Sequence, residues 1–426
     1  MNDYRSMSKK ELRAELDRLL PEYEKVKDCG LKLDMSRGKP DATQLNLSMD
    51  MLAQNPYELI YSRKGTDVRN YGELAGVDEA KELFGELLGV PMQNIIMGGQ
   101  SSLCLMYDCF IKAVVLGVYG GSKPWGQQAP LRFLCPVPGY DRHFRICEEF
   151  GVEMINIPMT PSGPDMALVK QYVESDPAVK GIWCVPKYSN PQGYTYSPET
   201  VRAFAALRPA ADDFRIFWDN AYMVHGFREK DDELLNIFDA CAEFGSEDMV
   251  YEFMSTSKVT FSGAGVAVFA ASRHKVDFLL RQMGVQTIGY DKINQLRHVH
   301  YLKSVEGVRA HMRKQADYLR PKFDFVLTQL SLGLDAYGIG EWTHPNGGYF
   351  ISYDGLPGTA KRCVQLCADA GVKFTGAGAA FPYHLDPEDK NIRIAPSFPG
   401  FADLRSSIEV FCLCQRIAAA ELLLGK

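Results

Sequence analysis

The feature that most restricts this chain is a series of short, mainly apolar segments between residues 95 and 271, interleaved with stretches of helical periodicity. Ile95-Ile96-Met97, Arg132 to Cys135, Glu153 to Ile157, Gly181 to Val185, Arg215 to Asp219, Met249 to Met254 and Ala264 to Ala271 read as strands. Between them Ser101 to Val118, Phe144 to Phe150, Asp165 to Ser175 and Pro198 to Leu207 read as helices. Apolar strands separated by helices predict an α/β fold with a mostly parallel sheet covered by helices on both faces. No apolar run approaches the ~20 residues of a membrane span.

The flanks follow another pattern. Ser8-Lys9-Lys10-Glu11 is a capping box, and Leu12, Leu16, Leu19 and Leu20 follow at helical spacing, so a helix opens the chain and stops near Pro21 or at Cys29-Gly30. Asp78 to Leu88 reads as a further helix. From about residue 305 a long helix carries Val308, Met312, Leu319 and Phe323. Strands at 349–352 and 391–395 then alternate with helices at 360–370 and 403–424. The expected division is a large domain over 63–303 and a smaller α+β domain, closing over the substrate, built from 1–62 and 304–426.

Composition narrows the function. With 47 basic against 53 acidic residues the net charge is −6, without a Lys/Arg block, which argues against nucleic acid as a partner. The N-terminus runs into charged sequence rather than an apolar leader, and no segment reads as a membrane anchor. Eleven scattered cysteines without a zinc spacing read as reduced core thiols, so the expected compartment is the cytoplasm.

In open α/β sheets ligands gather at the carboxyl ends of the strands. Gly98-Gly99-Gln100-Ser101-Ser102 leads from a strand into a helix, where free amides can hold a phosphate, although a Gly-Gly turn also has a purely structural reading. Asn190-Pro191-Gln192-Gly193 follows another strand and is, alone, ordinary turn chemistry. Asp219 directly follows Arg215 to Trp218, so its carboxylate is expected to be buried and to need a partner. Ser255-Thr256-Ser257-Lys258 ends a strand with a lysine between apolar flanks, and a buried lysine there would have a lowered pKa. Asn190 and Asp219 are 29 residues apart, and Asp219 and Lys258 are 39 apart, so the three can meet at one sheet edge.

Asn190-Pro191-x-Gly193, Asp219-x-x-Tyr222, Ser255-x-Ser257-Lys258 and Arg393-Ile394-Ala395, in this order, make the sequence similar to the fold-type I pyridoxal-phosphate enzymes. It resembles the aspartate aminotransferase family over nearly its whole length. The resemblance implies that Lys258 binds the cofactor covalently and later moves a proton, and that Asp219 pairs with the pyridine nitrogen. It gives Tyr222 and Asn190 to the ring's 3′-oxygen, and Gly99, Gln100, Ser101 and Ser255 to the phosphate. Tyr140 would stack on the ring, and Tyr71 would reach the phosphate of a neighbouring subunit in a homodimer with shared sites. Arg393 would fork the substrate α-carboxylate, beneath a loop carrying Gly38.

One departure marks a divergent subgroup. The family usually has a phosphate-binding arginine about eight residues after the lysine, whereas Val259 to Ser272 contains no Arg or Lys. Arg63, Lys64 and Arg69 are the candidate replacements. The expected reaction is transfer of an amino group between an acidic amino acid, such as aspartate, and a 2-oxo acid such as 2-oxoglutarate. Its second carboxylate would need another cation, for which Arg37, Lys39, Lys292 and Arg297 are eligible. A C–S lyase or decarboxylase on the same fold is the alternative. A pyridoxal-phosphate-binding transcriptional regulator fits less well, because only one amphipathic helix precedes Leu33. A nicotinamide enzyme lacks its glycine fingerprint. His298-x-His300 places its rings on different helix faces and reads as structural. His225 is expected to pack behind the site.

Overall fold

The structure, a computed structural model, describes residues 3–425. Eight strands form the central sheet: β1 (Ile95–Met97), β2 (Arg132–Val137), β3 (Glu153–Thr160), β4 (Gly163–Pro164), β5 (Val179–Cys184), β6 (Arg215–Asp219), β7 (Val250–Ser255) and β8 (Ala267–Ala270). Their order is β1-β8-β7-β6-β5-β2-β3-β4. The five strands β3, β2, β5, β6 and β7 pair in parallel, while β8 runs against β7 and β1, and β4 runs against β3. Every residue of β5, β6 and β7 is buried, as a sheet covered on both faces requires.

Side-chain alternation sorts these strands into two cores. Ile216 and Trp218 of β6 join Leu134, Ile182 and Val250 on one face, and Phe217 joins Phe133, Trp183 and Phe253 on the other. The chain opens with α1 (Lys9–Asp28), and among the helices flanking the sheet are α2 (Asp78–Leu88), α3 (Ser102–Leu116) and α4 (Asp141–Glu149). After the sheet come α5 (Lys292–Leu302), α6 (Val305–Leu334), α7 (Ala360–Asp369) and α8 (Phe401–Leu424).

A third core joins the chain's two ends. Leu12, Leu16, Leu19 and Tyr23 of α1 pack with Leu404, Ile408, Phe411 and Ile417 of α8 and with Phe323 and Val326 of α6. Beside them lies an antiparallel sheet of β9 (Gly340–Trp342), β10 (Ile351–Gly355) and β11 (Asn391–Ile394).

Several boundaries differ from the sequence reading for identifiable reasons. The capping box of α1 forms as expected, yet the helix runs through Pro21, because apolar residues on both sides of the proline are anchored in the third core. β2 continues past Pro136. Its pairing with β5 ends at Leu134, so the proline lies where only β3 flanks the strand. β8 is shorter than Ala264 to Ala271. Val266 instead closes a turn by donating to Thr256 Oγ1 at 2.9 Å, while Thr256 N donates to Val266 O at 2.9 Å. Among the described residues no helix is long and apolar enough to cross a membrane.

Candidate active site

The sheet brings the ends of β1, β5, β6 and β7 to one edge. Asp219, the last residue of β6, is only 3 % exposed. Its Oδ2 accepts from His143 Nε2 at 3.1 Å, whereas its Oδ1 is buried and has no partner. A buried acceptor left unpaired is costly, so this oxygen is fitted to a cationic or N–H group that enters the site. His143 lies in α4 and stacks on Trp183 of β5 at 4.6 Å, which fixes the direction in which it presents its N–H. Behind Asp219, Asn220 Nδ2 donates to Glu252 Oε1 at 2.9 Å, and burial pushes the Glu252 carboxyl up to about 7.

Lys258 lies in the turn just past β7. It is half-buried rather than fully buried, which corrects the sequence expectation: the flanking Met254 and Val259 are buried, but the lysine itself stays partly accessible. Its Nζ stands 4.9 Å from the ring centre of Tyr222 and 5.9 Å from that of Tyr349. Among the described residues it makes neither a hydrogen bond nor an ion pair. Tyr222 is buried, and burial pushes its phenol well above the ordinary range, so it remains a donor.

At the end of β1, Gly99, Gln100 and Ser101 lead into α3. Ser101 caps that helix by accepting from Cys104 N, leaving the first-turn amides directed at the cleft. Ser255 Oγ donates to Ser257 Oγ at 3.1 Å, and Ser257 Oγ donates to Gln100 O at 3.0 Å. The start of β8 presses in beside them, and a Cβ on Gly265 would fall 2.7 Å from Gln100 O. Hydroxyls and amides thus form a cradle suited to an anion.

On the other side Arg393, from β11, is held by three elements. Its Nη1 donates to Asp141 Oδ1 at 3.1 Å and to Asn190 Oδ1 at 3.2 Å, and its Nη2 donates to Thr375 Oγ1 at 3.4 Å. The guanidinium carbon lies 4.8 Å from the ring centre of Phe350. Gly38 touches that same ring: a Cβ there would fall 2.2 Å from Phe350 Cζ. Thr375 Oγ1 also donates to Ser36 O at 2.9 Å, tying the loop before Gly38 to the arginine. Tyr140 meets His143 edge-on at 4.9 Å, and burial pushes its phenol up to about 12.

Not every sequence candidate arrives here. Tyr71 is 79 % exposed, with no side-chain hydrogen bond among the described residues. Arg63, Lys64 and Arg69 do not supply the missing cation within the chain. Arg63 pairs with Glu82, Lys64 with Asp78 and Arg69 with Asp67. Lys292 is buried and donates to Gly72 O at 2.9 Å. Lys39 lies over the Phe398 ring at 4.2 Å. His298 is a core residue: its Nδ1 donates to Asn294 O at 2.8 Å, and its Nε2 accepts from Thr256 and Thr260. His225 packs against Tyr222 and Tyr349 at 5.5 and 5.9 Å, with its pKa lowered to about 3 by burial and then by the Lys258 charge.

Three residues at the site escaped the sequence reading. His143 had a readable signal, since it stands three residues after Tyr140 on the first turn of a helix. Ser257 was visible within its motif, but its bridging position between Ser255 and Gln100 appears only in three dimensions. Tyr349, whose hydroxyl accepts from Gln44 Nε2 at 3.1 Å, gave no signal.

This constellation fits pyridoxal phosphate: an unpaired buried carboxylate oxygen, an amine without a hydrogen-bond partner and a set of hydroxyls and amides suited to an anion follow strands that end at one sheet edge. A family model described as aspartate amino-transferase matches residues 7–426. An aspartate aminotransferase of Corynebacterium glutamicum is 42% identical over 399 residues, 94% of this chain and 92% of that one. A solved aspartate transaminase from the same species aligns with a TM-score of 0.96 at 40% identity, over 99% of each chain. The alpha-aminoadipate aminotransferase of Thermus thermophilus, solved with N-(5'-phosphopyridoxyl)-L-leucine, has the same fold, with a TM-score of 0.70 at 18% identity over 95% of each chain.

Proposed function

The chain belongs to the aspartate aminotransferase family and is a pyridoxal-phosphate-dependent aminotransferase; within that activity, we propose that it moves the amino group of an acidic amino acid, such as aspartate, to a 2-oxo acid such as 2-oxoglutarate. The reading of the site is supported by the buried, unpaired Oδ1 of Asp219 together with the Nζ of Lys258 beside Tyr222, the charges of both residues bearing on Tyr140.

Bound pyridoxal phosphate supplies an electron sink that acidifies the Cα–H bond of the amino acid. Asp219 Oδ1 would accept the ring N–H, and His143 keeps the carboxylate oriented through Oδ2. Lys258 Nζ would hold the cofactor and would serve as the base for the proton at Cα. Tyr222 would donate to the ring's 3′-oxygen. Asn190 turns its Oδ1 to Arg393, which leaves Nδ2 to donate to the same oxygen. Tyr140 would stack on the ring, while Gly99, Gln100, Ser101 and Ser255, joined by Ser257, would bind the phosphate. Arg393 forks the α-carboxylate, and the loop at Gly38 covers it as the smaller part (1–62 and 304–426) closes on the larger (63–303).

For the distal carboxylate, Arg37 and Lys39 are exposed cations on either side of Gly38, and neither forms an ion pair among the described residues. Tyr71 serves the partner subunit of a homodimer, a reading supported by its own exposure and by that of Tyr57, Tyr61 and Val285. A cytoplasmic location is supported by eleven cysteines of which none is paired.

The test is kcat/KM for aspartate and glutamate against alanine, leucine and phenylalanine, with 2-oxoglutarate as acceptor. A preference of at least about tenfold for the acidic donors, diminished in Arg37→Gln, is expected. Equal turnover of the neutral donors overturns the substrate assignment. Release of ammonia or pyruvate without an acceptor points to lyase chemistry instead.

A further inference from the structure

Arg393, as the anchor for the substrate carboxylate, is already engaged by a carboxylate of its own chain. Asp141 opens α4, one residue after Tyr140, and its Oδ1 accepts from Arg393 Nη1 at 3.1 Å. The pair is partly shielded, with the arginine side chain 10% and the aspartate side chain 25% exposed. Asn190 Oδ1 is on the same nitrogen at 3.2 Å, Nη2 has only the 3.4 Å contact to Thr375, and Nε is buried without a partner.

We propose that Asp141 is an internal competitor for Arg393, whose carboxylate holds the anchor when the site is empty and must yield Nη1, or share it, when a substrate carboxylate docks. The inference rests on the reading of Arg393 as that anchor. Two negative groups cannot both take the full benefit of one guanidinium, so the resident carboxylate lowers the affinity for every carboxylate that arrives. The contact is made alike to amino acid and to oxo acid, because both carry the same α-carboxylate. It therefore acts on uniform binding, which sets KM without assisting the chemical step. Each catalytic cycle must release two different carboxylates from one arginine, and a competitor already in place speeds both departures. Asp141 also keeps Arg393 extended beneath Phe350 while the site is empty. It is thus a positioning residue rather than a catalytic one.

The experiment measures binding of propionate, an unreactive monocarboxylate, to the holoenzyme by calorimetry, so that neither turnover nor the distal cation enters. Asp141→Asn and Asp141→Ser both keep a residue suited to the start of a helix. Each is expected to tighten propionate about fivefold, the factor a partly exposed ion pair commands. In steady state KM for amino acid and oxo acid falls together while kcat does not rise. A merely structural role would weaken binding, and it would not tighten it. Unchanged or weaker propionate binding in both variants overturns the proposal. Arg393→Gln separates the two ideas. If it abolishes propionate binding with either Asp or Asn at position 141, the anchor stands and the competitor has nothing left to act on. If it binds propionate like the parent, the anchor reading itself fails.

Discussion

Replacing Gly38 with alanine tests how the loop over the cleft controls Arg393. The backbone at Gly38 is outside the left-handed region, so alanine meets no strain in the main chain and the effect is purely one of space. The added Cβ would lie 2.2 Å from Phe350 Cζ and 2.4 Å from Cε1, whereas ordinary contact begins at 3.4 Å. The loop or the ring must therefore retreat by about 1.2 Å, the difference between the two distances. Phe350 is buried, and the Arg393 guanidinium lies over it at 4.8 Å, so a retreating ring carries the anchor with it. A misplacement of about 1 Å at a binding group can cost up to ~100-fold, and overpacking costs about 1–3 kcal/mol of stability. Steady-state kinetics on Gly38→Ala should show kcat/KM for the amino acid lowered between about 10- and 100-fold, mainly through KM, with cofactor content unchanged. The companion variant Phe350→Leu removes the atoms that clash, so the double variant should lose less than the two single losses combined. Parental kinetics in Gly38→Ala, or strict additivity in the double variant, would refute the reasoning.

Lys258→Ala should abolish the cofactor adduct that borohydride fixes, read as the absence of the added mass, and lower the rate by at least about 10²-fold. Arg393→Lys keeps the charge but loses the planar fork, and should raise KM for amino acids about 10- to 100-fold while cofactor affinity is retained; equal losses of both would contradict its role. Glu252 has a folded pKa raised to about 7 from an ordinary 4.5, so the folded state binds its proton more tightly than the unfolded chain does. Stability from this group is undiminished below pH 4.5, falls as pH rises toward 7, and is lower by about 3 kcal/mol above that. Glu252→Gln should therefore gain stability over the parent at pH 8 and lose the advantage at pH 4.5, read from denaturant midpoints at both pH values. His298 is shifted the other way, lowered to about 4 by burial, so both proteins lose stability on its account as pH falls below 6.5, and the difference between them isolates Glu252.

The order of elements and the polar ends of β1, β5, β6 and β7 were readable because both follow from local pattern. A strand buried on both faces must be apolar, and a polar residue at its end then stands out. Asp219, Asn190 and Lys258 could be brought together from their spacing alone. What lay beyond local pattern depends on contacts between distant segments. His143 meets Asp219 across 76 residues, and Asp141 meets Arg393 across 252. Within the chain Arg63 and Lys64 pair with Glu82 and Asp78 of α2, contacts that the local pattern around them did not indicate. Lys258 was expected to be buried because its chain neighbours are, yet in the turn after β7 it stays partly accessible.

The seam between α1 and α8 bears on how the protein is made. The apolar stripe of α1 leaves the ribosome well before its cover in α8, which begins 373 residues after α1 ends. At roughly 5–20 residues per second, Leu12, Leu16 and Leu19 await translation of their partner for on the order of 20 to 75 s. The nascent chain thus carries a sticky helix that only the synthesis of α8 conceals, so a chain cut short before residue 401 would be an early client for chaperones or proteases.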